Sequence, residues 1–136
     1  MKKIFIDTNI FIRYLINDVP SQIDKVERLF DLSEKGEITL ITGPPVFFEI
    51  AWTLKSFYNV NREGIYESIS AIIGLPGLEI IDLEILEEAL ELYKQTSVDF
   101  SDVYIAVQAK KAGAESIATF STKHFKNLNV EIYPLE

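Results

Sequence analysis

The apolar positions of the chain fall into short blocks of two kinds. Ile4-Phe5-Ile6 is a run of β-formers bounded by lysines and an acid, the pattern of a strand covered on both faces. Ile38 to Thr42 and Leu78 to Ile81 read as strands in the same way, Ile117-Ala118-Thr119-Phe120 as a fourth, and Val130 to Tyr133 as a short last one. Between them the period lengthens. Ile10, Phe11, Tyr14 and Leu15 recur at helical spacing from Thr8 to about Asn17. Pro20 suits the first turn of the next helix, where Ile23, Val26, Leu29, Phe30 and Ser33 share a face until Gly36. Gly43-Pro44-Pro45 breaks the second strand and launches a helix from about Val46 to Tyr58. Asn61 caps another, with Ile65, Ile69, Ile72 and Ile73 on one face, ending at Gly74-Leu75-Pro76-Gly77. Asp82 is expected to cap an amphipathic helix with Leu83, Leu86, Ala89, Leu90 and Tyr93 inward. A further helix runs from about Ser101 to Lys111, stopped by Gly113.

Strands alternating with helices predict an α/β fold with a short, mostly parallel sheet and helices on both faces. Ligands of such sheets bind beyond the carboxyl ends of the strands. Asp7 and Ser121, each expected just after a strand, would then share one rim. The 136 residues suit a single domain spanning 1–136. With 48% apolar and 25% charged residues, the composition excludes a disordered tail and a collagen-like fibre. The absence of cysteine excludes a disulfide framework and a thiolate zinc site, and the single histidine excludes a multi-histidine site. Met1-Lys2-Lys3-Ile4-Phe5-Ile6-Asp7 meets an acid too soon for a signal-peptide core, and no apolar run approaches the ~20 residues of a membrane span. A cytoplasmic protein with no membrane partner is expected.

Charge narrows the picture. Thirteen Lys+Arg against twenty-one Asp+Glu gives −8, a surface that does not draw in nucleic acid, whose affinity comes from cations neutralising phosphates. A nucleic-acid substrate would need local cations or metal ions, whereas a basic partner segment would be attracted.

Four acids stand out against apolar neighbours. Asp7 follows a strand and opens a helix, where it reads as an N-cap or as a site acid; the two roles coexist, since a cap leaves one oxygen free. Thr8 and Asn9 add polar groups that could orient it. Glu49 has three apolar residues on either side. With Thr53 and Ser56 it makes a narrow polar stripe that reads either as a solvent face or as the lining of a cleft. Asp99 and Asp102 stand at i, i+3 at a helix start, favourable there by about 0.3–1 kcal/mol each and able to share one face. Asp102 then leads into the apolar Val103 to Val107. Gathered carboxylates repel unless a cation neutralises them, and Mg²⁺ or Mn²⁺ suits an all-oxygen site. Phosphodiester hydrolysis is the chemistry such a site supports.

These residues carry a resemblance. Ile4 to Phe11 with Asp7-Thr8-Asn9 at its centre, Glu49 on the third helix, Asp99-Phe100-Ser101-Asp102-Val103-Tyr104-Ile105-Ala106, and Thr119-Phe120-Ser121-Thr122-Lys123-His124-Phe125 are similar, in order and from end to end, to the PIN domain, and within it to the VapC toxins of toxin–antitoxin pairs. The resemblance implies a three-layer α/β/α fold, usually dimeric, and an Mg²⁺-dependent endoribonuclease in which Mn²⁺ can substitute. Asp7, Glu49 and Asp102 would be its core metal carboxylates and Asp99 an additional acid. Thr8, Asn9, Thr119 and Ser121 would be supporting polar groups. It further implies an RNA substrate, tRNA among the candidates, a VapB-like antitoxin and a homodimer.

One position departs from the family pattern. Ser121 stands where an acid is usual, and a hydroxyl supplies no charge. A PIN module that binds RNA or protein without cutting is therefore the main alternative. A haloacid-dehalogenase-type phosphatase, with Asp7 as nucleophile, needs a second acid where Asn9 stands. Lys123, Lys126, Lys110, Lys111 and Arg13 are the candidate local cations. His124 reads as a surface residue or as a phosphate contact.

Overall fold

In a computed structural model of the chain, which describes residues 2–136, Lys3–Phe5 forms strand β1 and the backbone turns at Asp7 into helix α1, Thr8–Leu15. Helix α2 (Pro20–Glu34), β2 (Thr39–Thr42), α3 (Pro44–Ser56), α4 (Arg62–Ile73) and β3 (Leu78–Ile80) follow. The three strands pair in the order β1-β2-β3. Both pairings are parallel, with Ile4 opposite Leu40 and Leu40 opposite Leu78. Parallel neighbours require crossover connections, and the two helix pairs supply them. Pro20, Pro44 and Pro45 fall where a missing N–H does no harm, at the first turns of α2 and α3.

Phe11, Leu40, Phe47, Ile50, Leu54, Ile65, Ile69 and Ile72 are fully buried, each contributing about 1.5–3 kcal/mol of apolar burial. Phe11 stacks on Phe30 at 6.2 Å and on Phe47 at 6.5 Å, tying α1 to α2 and α3. Ser33 Oγ donates to the carbonyl of Gly77 at 3.3 Å. Gly77 has φ +77, and a Cβ there would meet Ser33 Oγ at 2.5 Å, so this turn requires glycine twice over. Strand β1 lies at the edge of its sheet, and Phe5 is exposed. The expectation of a strand covered on both faces is not met at Phe5.

This region, Met1–Ile81, is one compact unit, and Asp82–Glu136 is a second. The second holds α5 (Leu83–Lys94), α6 (Phe100–Lys111), β4 (Ser116–Ile117), α7 (Thr122–Phe125) and β5 (Glu131–Ile132). Helices α5 and α6 pack through Leu86, Ala89, Leu90, Val103, Ala106 and Val107, all buried. Tyr93 meets Phe100 edge-on at 5.6 Å. Strands β4 and β5 pair in parallel, so every strand pairing among the described residues is parallel. The helix-rich α/β architecture is the one expected, with its strands divided between a three-stranded and a two-stranded sheet.

Two local expectations are corrected. The fourth strand ends at Ile117, and Thr119 and Phe120 lie outside it, Phe120 being 95% exposed. Thr119 Oγ1 instead accepts from the Ser121 N–H at 2.9 Å, a local side-chain bond of the kind that competes with a ladder. Asp82 stands at the start of α5 but makes no capping bond; its backbone is left-handed, with φ 55. Among the described residues no helix is long and apolar enough to cross a membrane.

Candidate active site

The first unit holds two of the four acids, Asp7 just beyond β1 and Glu49 in the helix that follows β2. Beyond β1, the Ile6 N–H donates to Ile41 O at 2.8 Å. The buried Thr42 hydroxyl donates to Ile6 O at 3.1 Å. These bonds fix the backbone that delivers Asp7. Asp7 caps α1, its Oδ1 accepting from the Thr8 N–H at 2.8 Å. Its second oxygen makes no hydrogen bond among the described residues, so the cap leaves a carboxylate oxygen for a ligand. Thr8 is buried, and its Oγ1 has no hydrogen-bond partner among the described residues. A buried hydroxyl left so costs about 1–3 kcal/mol. Asn9 is exposed on the first turn of α1.

Glu49 lies in the second turn of α3, which leaves the carboxyl end of β2 as α1 leaves that of β1. The Phe11–Phe47 contact holds these two helices together. Glu49 itself is exposed and enters no ion pair or hydrogen bond among the described residues. Trp52, one turn on, is 67% exposed. The exposure of Glu49 within α3 fits either reading of this polar stripe, a solvent face or the lining of an open cleft.

The other two acids open α6 in the second unit. Asp99 occupies the N-cap position without a side-chain capping bond, and Asp102 lies in the first turn. Asp102 Oδ2 is 3.0 Å from His124 Nδ1, with side-chain exposures of 24% and 56% respectively. The sequence offered His124 as a surface residue or a phosphate contact; its place beside Asp102 was missed. The available signal was the buried Phe125 next to it, which seats α7 in the unit's core. Ser121 is the residue before α7, and its carbonyl accepts from the His124 N–H at 3.0 Å. Thr119, Ser121, His124, Asp99 and Asp102 thus belong to α6, α7 and the turn between β4 and α7.

Two candidate cations, Arg13 and Lys111, are engaged elsewhere. Arg13 pairs with Asp18 and donates to the Tyr58 hydroxyl at 3.2 Å. Lys111 sits at the opposite end of α6 from Asp102, about 13 Å along the axis, 3.2 Å from Glu84 and 3.8 Å from Glu88. Its hydrogen bond to Glu84, and then the charges of Glu84 and Glu88, hold its ammonium above the usual lysine range. Lys110 shares that far end, lining a cleft of about 440 Å³ with Lys111, Glu88 and Glu91. Lys123 and Lys126, both exposed, flank His124 on the α6 N-terminal side. Burial, and then the charge of Asp82, push the Tyr104 phenol upward.

Among the described residues no three His, Asp or Glu side chains are gathered closely enough to hold a metal ion. The donor chemistry nonetheless suits a hard divalent cation: carboxylate oxygens, one of them on a cap with an oxygen to spare, and the buried hydroxyl of Thr8.

The sequence pattern of the PIN domain matches residues 4–130. The chain belongs to the PIN-domain family. The matched span of this PIN domain includes all four acids together with Thr119, Ser121 and His124. A VapC ribonuclease of Aquifex aeolicus (strain VF5) is 30% identical to it over 127 residues, covering 90% of each protein. A crystal structure of VapC20 from Mycobacterium tuberculosis, described as a sarcin-ricin loop cleaving toxin, aligns with 96% of this chain and 99% of its own, at 16% identity and a TM-score of 0.41. The family resemblance drawn from the four motifs is borne out.

Proposed function

We propose that this PIN domain is an endoribonuclease toxin of the VapC type, hydrolysing RNA phosphodiester bonds with Mg²⁺, for which Mn²⁺ can substitute. One observation carries the reading: likeness to a VapC ribonuclease extends over 90% of both chains, far beyond a shared motif. In this reading the two units serve as one domain, and Asp7, Glu49, Asp99 and Asp102 together hold the metal. When bound, the ion supplies a water of lowered pKa and neutralises charge on the phosphate. The chain's own residues do the rest. The Thr8 N–H fixes one Asp7 oxygen and aims the other. Thr8 and Asn9 orient that carboxylate, and Thr119 and Ser121 shape the turn before α7. Lys123 and Lys126 receive the RNA backbone, providing locally the cations that a chain of net charge −8 lacks overall.

The same acidity favours capture by a basic segment, which fits a VapB-like antitoxin in a cytoplasmic complex. The protein acts as a homodimer, and tRNA is among its candidate substrates. Purified chain freed of any antitoxin, given Mn²⁺ and total RNA or tRNA, should cut the RNA. Chelation or Asp7→Asn should abolish the cutting. Intact RNA, with Asp7→Asn indistinguishable from wild type, would instead identify a module that binds without cleaving, as Ser121 allows.

A further inference from the structure

The contact between Asp102 and His124 is unlike anything the four motifs announce. Helix α7 is only four residues long, yet its Phe125 and the nearby Leu128 are buried, and the helix packs on α6. That anchoring brings His124, the chain's single histidine, to Asp102 Oδ2 at 3.0 Å. The ring is more exposed than the carboxylate. Asp102 Oδ1 makes no hydrogen bond among the described residues. One oxygen is held and the other left over, as with Asp7 and the Thr8 N–H.

We propose that His124 is a positioning residue for Asp102. It fixes the carboxylate through Oδ2 and so leaves Oδ1 oriented toward the divalent ion. Carboxylates that ligate metals are themselves held by outer hydrogen-bond partners, whose loss typically costs about 10–100-fold in metal affinity. The need is acute here, because Ser121 contributes no negative charge where the family usually has an acid, and a site short of one carboxylate depends more on the orientation of those remaining. This inference rests on the metal-dependent reading above.

The test is Mn²⁺ affinity, measured by calorimetry on the full chain without RNA. His124→Ala should weaken binding about tenfold or more. His124→Asn, which can place an amide N–H where Nδ1 stands, should recover most of it. Thermal unfolding of both variants establishes that they are folded. Unchanged or tighter Mn²⁺ binding by folded His124→Ala overturns the proposal, tighter binding meaning that the ring competes with the ion. Loss in both variants overturns it as well, because a donor at that place would then not suffice. Asp102→Asn separates the two levels. If it weakens Mn²⁺ binding while His124→Ala does not, only the positioning role falls. If it has no effect either, Asp102 is no metal ligand and the metal reading itself fails.

Discussion

The Thr42 hydroxyl is a small group on which the placement of Asp7 turns. It is fully buried and donates to the Ile6 carbonyl at 3.1 Å, one residue before the acid. Thr42→Val keeps the shape and removes the donor. Leaving a buried carbonyl without its partner costs about 1–3 kcal/mol, and the added methyl returns up to about 0.8 kcal/mol of apolar burial. The net loss is therefore about 0.2–3 kcal/mol. With a urea slope of about 1–3 kcal/mol per molar for a small protein, the unfolding midpoint should fall by roughly half a molar. Thr42→Ser retains the donor and loses only a methyl, so it separates the hydrogen bond from packing. Amide exchange adds a local reading: the Thr8 N–H, held by Asp7 Oδ1 at 2.8 Å, should exchange faster in Thr42→Val than in Thr42→Ser. A valine variant as stable as wild type, with Thr8 exchange unchanged, would refute the idea that this hydroxyl anchors the β1 end.

Phe47 is fully buried and stacks on Phe11, so Phe47→Ala should cost about 3–5 kcal/mol in denaturant unfolding; a loss below about 1 kcal/mol would mean that α1 and α3 do not depend on this contact. The Lys111 ammonium is held above its ordinary 10.5 by Glu84 and Glu88. A folded-state value above the unfolded one gives stability that is complete below pH 10.5 and lost as pH rises through the higher value. Lys111→Met should therefore narrow the difference in unfolding midpoint between pH 9 and pH 11.5, measured in urea, and an unchanged pH profile would show the pair to be inert.

The legible parts of this fold are those with local chemical causes. Asn61 was read as a cap, and its Oδ1 accepts from the Gly64 N–H at 2.8 Å. Pro20 and Pro44 mark helix starts in both readings. Strand β4 was overextended because a two-residue ladder carries no alternation to limit it, and Thr119 and Phe120 have strand-forming side chains wherever they lie. Asp82 failed as a cap because a left-handed backbone is not signalled by residue type alone. The apolar neighbours of Glu49 gave no measure of its exposure, since successive residues on a helix face different ways. His124 and Asp102 are far apart in sequence, and only the packing of α7 on α6 joins them. The acids themselves stand out in sequence because each interrupts or borders an apolar run, whatever its exposure in the fold.

Calorimetric titration of Mn²⁺ into wild type, Asp7→Asn, Glu49→Gln, Asp99→Asn and Asp102→Asn, all freed of bound metal, puts the shared role of the four acids to the most direct test. One joint metal site predicts measurable binding by the wild type and weaker binding in every variant, with the double substitution of Asp7 and Asp102 leaving none. Full affinity in Asp7→Asn or in Asp102→Asn would show that the two ends of the chain do not serve a common ion.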